Sequence, residues 1–167
     1  VEQKIDYLYG IEDQVLIMKN SVFRLTNIHG IFDFKTFRTR VLGDNLKEMS
    51  IDSYLPVIYL GRPLAHKLEI GLGDTVDIFT PKQINIFTGL PPNRKMIVGG
   101  IYELEILDYD HKHIFTNYSS VIDLLPDNLL LYYLHEIPGD YFSNAITHDF
   151  PELQLHTWED EHHSFIS

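Results

Sequence analysis

PVIYLGRPLAHKLEIGLGDTVDIFTP, residues 56–81, spells out a strand, a helix and a second strand in succession. Val57 to Leu60 is an apolar run of buried-strand length. Gly61 ends it, and Pro63 falls in a first helical turn, where its missing N–H is tolerated. Leu64, Ala65 and Leu68 follow the i, i+1, i+4 spacing of a helix packed on a sheet. Gly71 and Gly73 are expected to break that helix, and Gly73-Asp74 to turn the chain into a strand over 75–80. There Val76 and Ile78 point one way and Asp77 the other. Gly71-Leu72-Gly73-Asp74 lies between a helix and a strand, the wrong order for a dinucleotide-binding turn.

Working outward, residues 13–19 and 22–31 flank Asn20-Ser21 and read as two strands of a tight hairpin. Val22, Arg24, Thr26 and Ile28 would share one face, and Phe23, Leu25, Asn27 and His29 the other. Residues 36–52 read as polar and irregular, with a turn at Gly43-Asp44-Asn45. A strand is predicted over 96–104, with Gly99-Gly100 as a bulge or close backbone approach. Another follows at 113–116, and Asn117 caps a short helix over 118–125 that stops before Pro126. Residues 129–135 read as a strand. Pro138-Gly139-Asp140 opens a helix whose Phe142, Ala145, Ile146 and Phe150 share a face, and a last strand covers 153–157. Strands with helices on one side give an α+β fold. The chain reads as one domain over 1–167, with a strand-loop-strand unit over 75–104.

The loop of that unit, 81–95, joins two convincing strands, yet hairpin loops usually take about 2–5 residues. It carries Ile84, Ile86, Phe87 and Leu90, which a solvated loop would avoid. Pro91-Pro92 stiffens its descending side, and Arg94 offers a fork of donors suited to a carboxylate or carbonyl. Such a loop either presents a rigid apolar finger to a partner protein or folds back over its own core.

The rest of the sequence narrows the chemistry. The formal charge is −11, from 24 acidic and 13 basic residues, with no Lys/Arg cluster, so no nucleic-acid partner is expected. Cysteine is absent, which removes disulfides, thiolate zinc sites and cysteine nucleophiles. No apolar stretch reaches the ~18–20 residues that span a bilayer, and Val1-Glu2-Gln3-Lys4 opens without a signal peptide or initiator Met, as a fragment would. Local signatures of nucleophilic or phosphate chemistry are missing. Asp108-Tyr109-Asp110-His111-Lys112-His113 would place His111 and His113 on one strand face as partial metal ligands. A polar turn leading into a strand explains it more simply. Glu161-His162-His163 reads as a solvated tail. The expectation is therefore a protein that is not an enzyme, with no cofactor and no metal.

LGRPLAHKLEIGLGDTVDIFTP, then FTGLPPNRKMIVGGIYE, then LDYDHKHIFTNYSSVIDLL resemble the periplasmic domain of lipoprotein-releasing ABC-transporter permeases of the LolC/LolE type, within the wider MacB-like group. The resemblance is carried by Gly61, Leu64 and Ala65, by Gly73-Asp74, by Val98, Gly100 and Ile101, and by Asp110. It is strongest over 57–125. Upstream it extends to residues 11–17 and His29-Gly30-Ile31, downstream to Thr157-Trp158.

The resemblance implies a MacB-like periplasmic core domain, with a porter-like α/β part, N-terminally incomplete here, and a mostly β part. It implies an inner-membrane protein of a Gram-negative bacterium, a second permease subunit as homo- or heterodimer partner, and a separate cytoplasmic ATPase subunit. The function implied is mechanotransmission: lipoproteins are released from the inner membrane and handed to a LolA-type periplasmic chaperone. The family's chaperone-recruiting hook falls on Phe87, Thr88, Gly89, Leu90, Pro91, Pro92, Asn93 and Arg94. The alternative is a related MacB/FtsX-like permease domain with another partner or substrate.

Overall fold

β1 (Tyr7–Lys19) and β2 (Val22–Ile31) form the hairpin expected at Asn20-Ser21, with an antiparallel register from Gly10↔Ile31 to Lys19↔Val22. Asn20 and Ser21 both take positive φ, 51° and 66°, as a two-residue turn matched to the strand twist requires. This computed structural model describes residues 7–125 and 128–134. Nearly all the described residues belong to one compact unit, Leu8–Tyr133. The helix expected after Pro138, the strand at 153–157, Thr157-Trp158 and Glu161-His162-His163 lie outside the described residues.

The remaining strands are β3 (Leu46–Glu48), β4 (Val57–Gly61), β5 (Thr75–Phe79), β6 (Asn93–Tyr102), β7 (His113–Asn117) and β8 (Leu129–Leu134). β2 pairs in parallel with β7, β7 antiparallel with β4, β4 in parallel with β6, and β6 antiparallel with β5. β5 then returns to β1 through Leu16↔Phe79, Ile17↔Ile78 and Met18↔Asp77. Six strands therefore close into a ring, with β3 extending one edge of β6 and β8 lying beside β1. Strands mix with a few short helices among the described residues, as the α+β reading expects, but the sheet closes into a barrel instead of carrying its helices on one side. Closure leaves no long edge exposed to stray pairing.

Alternation along the strands sorts the apolar residues into two clusters. Ile11, Val15, Ile17, Ile28, Ile58, Leu60, Val76, Ile78, Met96, Val98 and Ile114 form one, and Leu64, Ala65 and Leu68 of α2 (Arg62–Leu68) join it. Their strand neighbours of opposite parity, Ile31, Tyr59 and Phe115, form the second with Tyr102, Phe37, Leu42 and Tyr109. Successive side chains point to opposite faces of a strand, so the first cluster lines one face of the closed wall and the second its other face.

Two segments depart from the sequence reading. Residues 36–52 are not simply polar and irregular: α1 (Phe34–Phe37) runs into a π-helical turn (Arg38–Leu42), a short 3₁₀ turn (Gly43–Asn45) and β3. Phe37 and Leu42 are fully buried, five residues apart, a spacing that the wider π turn accommodates and that the 3.6-residue template misses. The second is Asp108 to His113, expected as a polar turn leading into a strand: the strand does begin at His113, but α3 (Leu107–Lys112) stands in place of the turn. α2 also ends earlier than its glycines suggested. Glu69 takes the left-handed position at φ 53°, and Ile70 N–H donates to Ala65 O at 3.0 Å. The 118–125 helix is only a 3₁₀ turn (Tyr118–Ser120) with Asn117 Oδ1 accepting from Ser119 N–H.

Candidate functional site

Between β5 and β6 the chain leaves the barrel as a finger over 80–92, and every residue from 81 to 90 is exposed. Phe87 is 92% exposed, Ile86 88%, Leu90 66% and Ile84 62%. The loop does not fold back over its own core. Four large apolar side chains thus stand in solvent on this one loop.

The tip is internally ordered. Asn85 Oδ1 accepts from the N–H groups of Phe87 and Thr88 at 2.9 and 3.3 Å. Asn85 N–H donates to Leu90 O at 2.9 Å, and Gly89 N–H donates to Asn85 O at 2.8 Å. Gly89 supplies the positive φ, 69°, that closes this knuckle. Asn85 thus sets the tip by an Asx turn, a role the sequence reading did not assign. The pattern Asn-x-x-x-Gly was the available signal.

Both feet of the finger are braced. Thr80 N–H donates to Pro92 O at 3.1 Å across its base. On the ascending side Lys82 Nζ donates to Asp13 Oδ1 at 2.9 Å, and the Asp13 side chain is buried. On the descending side Arg94 grips Asp123 through two 2.8 Å bonds and also donates to Ser120 O. The Arg94 fork holds the Asp123 carboxyl below its usual range.

The eight residues on which the resemblance places a hook are spread over the tip, the descending side and the strand that follows. Phe87, Thr88, Gly89 and Leu90 sit at the tip, Pro91 and Pro92 are half-buried on the way down, and Asn93 and Arg94 are strand residues paired with Phe79 and Ile78. Arg94 is occupied as a strut rather than held out to a partner. Ile84, Asn85 and Ile86 belong to the tip instead.

The motif residues away from the finger are architectural. Gly61 lies flat against the backbone of α3: a Cβ there would come within 1.8 Å of Asp110 O. The Asp110 carboxylate accepts from Leu104 N–H at 3.0 Å and Glu105 N–H at 3.1 Å, fixing the turn into α3. Burial pushes that carboxyl up, and the two N–H groups oppose the shift. Leu64 and Ala65 are buried in the core. Gly73 takes φ 86° and donates to Val98 O at 2.8 Å, while Asp74 Oδ2 accepts from Gly71 N–H at 2.8 Å. Gly99 is the extra residue of a bulge, since Ile58 pairs with Val98 and Tyr59 with Gly100.

The histidines are arranged differently from the sequence expectation. His111 lies on α3 and His113 begins β7, so the two do not share a strand face. His113 instead meets His29, with Nδ1 and Nε2 2.7 Å apart, and Glu12 Oε1 lies 3.9 Å from His29 Nε2. Tyr109 stacks on the His113 ring at 3.9 Å. Burial, then the charge of Lys112, lowers the His113 pKa from 6.5 to about 4. Burial, then His113, depresses His29 as well.

A pH dependence follows from these depressed values. Well above pH 6.5 both rings are neutral whether the chain is folded or unfolded, and protonation of the unfolded chain sets in as pH approaches 6.5. As pH falls from 6.5 toward 4, the unfolded chain takes up protons that the folded chain excludes, so stability is lost, at up to about 1.4 kcal/mol per proton per pH unit. Urea midpoints measured from pH 7.5 to 5.5 should fall steadily; a flat profile would contradict the burial of the pair.

No protein-family model matches the chain. No curated protein matches it either. Among solved structures, it is similar to the extracellular domain of the noncanonic ABC-type transporter YknZ from Gram-positive bacteria, over 83% of this chain and 68% of that one, with a TM-score of 0.48 and 10% identity. A likeness at that level carries no argument about fold or function. No helix among the described residues is long and apolar enough to cross a membrane.

Proposed function

We propose that this chain is a non-catalytic extracytoplasmic domain of an ABC-transporter permease of the lipoprotein-releasing type, and that its finger docks a LolA-type lipoprotein carrier. The observation that carries this reading is the finger itself: Ile84, Ile86, Phe87 and Leu90 stand in solvent on a tip ordered by Asn85 and braced at both feet. Ordering the tip in advance lowers the entropy lost on docking, which is what a recruiting surface needs. A carrier of acyl chains presents apolar surface, a suitable counterpart for an apolar knuckle. The permease part of the reading rests on the motif order of residues 57–125, whose Gly61, Gly73, Asp74 and Asp110 have the architectural roles described above. In such a protein the work comes from a separate cytoplasmic ATPase, and this domain passes motion to its partner.

The test replaces residues 81–91 with Asn-Gly, joining Thr80 to Pro92 at the base of the finger by a two-residue turn. The variant should keep its circular dichroism spectrum and lose capture of the purified carrier. Undiminished capture would sink the docking role. Capture of a different envelope protein, dependent on the finger, would favour the MacB/FtsX-like alternative. The permease reading has its own check: in the full-length gene product, a transmembrane helix should abut each end of the segment.

A further inference from the structure

We propose that Glu12, His29 and His113 form a binding site for a divalent late first-row transition metal, Zn²⁺ being the natural occupant, on the wall shared by β1, β2 and β7. The three side chains come from three adjacent strands. Glu12 and His29 are a directly paired couple across the hairpin, and His29 is registered with Phe115 in the parallel pair. His113 lies two residues before Phe115 and therefore on the same face. The ligand atoms Glu12 Oε1, His29 Nε2 and His113 Nδ1 all fall within 4.8 Å of one another.

The chemistry of this set selects the metal. Two imidazoles and one carboxylate are borderline donors suited to Zn²⁺, Fe²⁺ or Ni²⁺, and poor for Ca²⁺ or Mg²⁺, which require oxygen. Ligands at about 2.0–2.1 Å from a tetrahedral ion stand roughly 3.3 Å apart. The 2.7 Å His29–His113 separation and the 3.9 Å Glu12–His29 separation lie on either side of that value, so small side-chain rotations bring the donors into place. Both rings are nearly fully buried, whereas the Glu12 side chain is 21% exposed, which leaves an approach from solvent on its side. The Tyr109 ring, stacked on His113, fixes the plane in which Nδ1 faces His29.

A bound ion would replace the direct His29–His113 hydrogen bond and tie the start of β7 to the β1–β2 hairpin. This is a tertiary clamp rather than a catalytic centre, and its assignment stands apart from the finger and its partner.

The experiment strips residues 1–167 of metal with a chelator at pH 7.5 and titrates Zn²⁺ by calorimetry and Co²⁺ by visible absorption. One equivalent should bind with micromolar or tighter affinity, give the d–d bands of low-coordinate nitrogen and oxygen ligation, and raise Tm by several degrees. Glu12→Gln, a near-isosteric change at a partly exposed position, should stay folded and weaken Zn²⁺ binding at least ten-fold. A variant with His162→Ala and His163→Ala should bind as tightly as the parent. Zn²⁺ binding weaker than micromolar, or binding lost with the tail histidines and untouched by Glu12→Gln, would overturn the assignment.

Discussion

Gly61→Ala should destabilise the domain by about 4 kcal/mol or more and lower its melting temperature by roughly 10 °C. The new Cβ would stand 1.8 Å from Asp110 O, 2.6 Å from its carbonyl carbon and 2.8 Å from its Cα. All three are backbone atoms, so no side-chain rotation relieves the clash. Either β4 must move away from its two partner strands or α3 must lift. Lifting α3 strains the Asp110 bonds to Leu104 and Glu105 and draws Tyr109 from His113. Gly71→Ala is the control. A Cβ there meets nothing within 4 Å, so the change should be neutral or stabilise by about 0.4–1 kcal/mol through the unfolded chain. Equal melting temperatures for the two variants would refute the close packing of α3 on Gly61.

What the sequence made legible follows from how local each signal is. Leu64, Ala65 and Leu68 repeat at helical spacing within a few residues, and all three are buried on α2 as expected. The Asn20-Ser21 turn is equally local. Barrel closure is not, because it depends on three pairs between β1 and β5, at Leu16 to Met18, that leave no mark on either strand's own pattern. α3 was hidden because its six residues are mostly polar and their order comes from Asp110 reaching back to Leu104 and Glu105.

The candidate sites divide in the same way. Length and apolar content singled out the finger, but its exposure, and the capture of Arg94 by Asp123, needed the fold. The His29–His113 contact joins residues 84 apart in sequence, and no spacing rule reaches that far. Attention to His111 and His113 as neighbours found one of the two rings and missed its partner.

Phe87→Asp should cut carrier affinity by about 100-fold or more while leaving the melting temperature nearly unchanged. At 92% exposure Phe87 contributes little to the fold, so its loss removes no core packing. In a docked complex it would be an aromatic anchor, and truncating such an anchor typically costs about 2–4 kcal/mol, before the added penalty of burying a carboxylate. Arg94→Ala separates contact from bracing. If Arg94 touched the carrier, its loss would match that of Phe87. As a strut bonded to Asp123 and Ser120, it should instead weaken binding only a few-fold, by loosening one foot of the finger. Its removal also frees Asp123, whose carboxyl should then titrate higher, nearer the ordinary value, in an NMR pH series. Equal losses for the two variants would return Arg94 to the docking surface; a large loss for Phe87→Asp alone leaves the apolar tip as the part that is recognised.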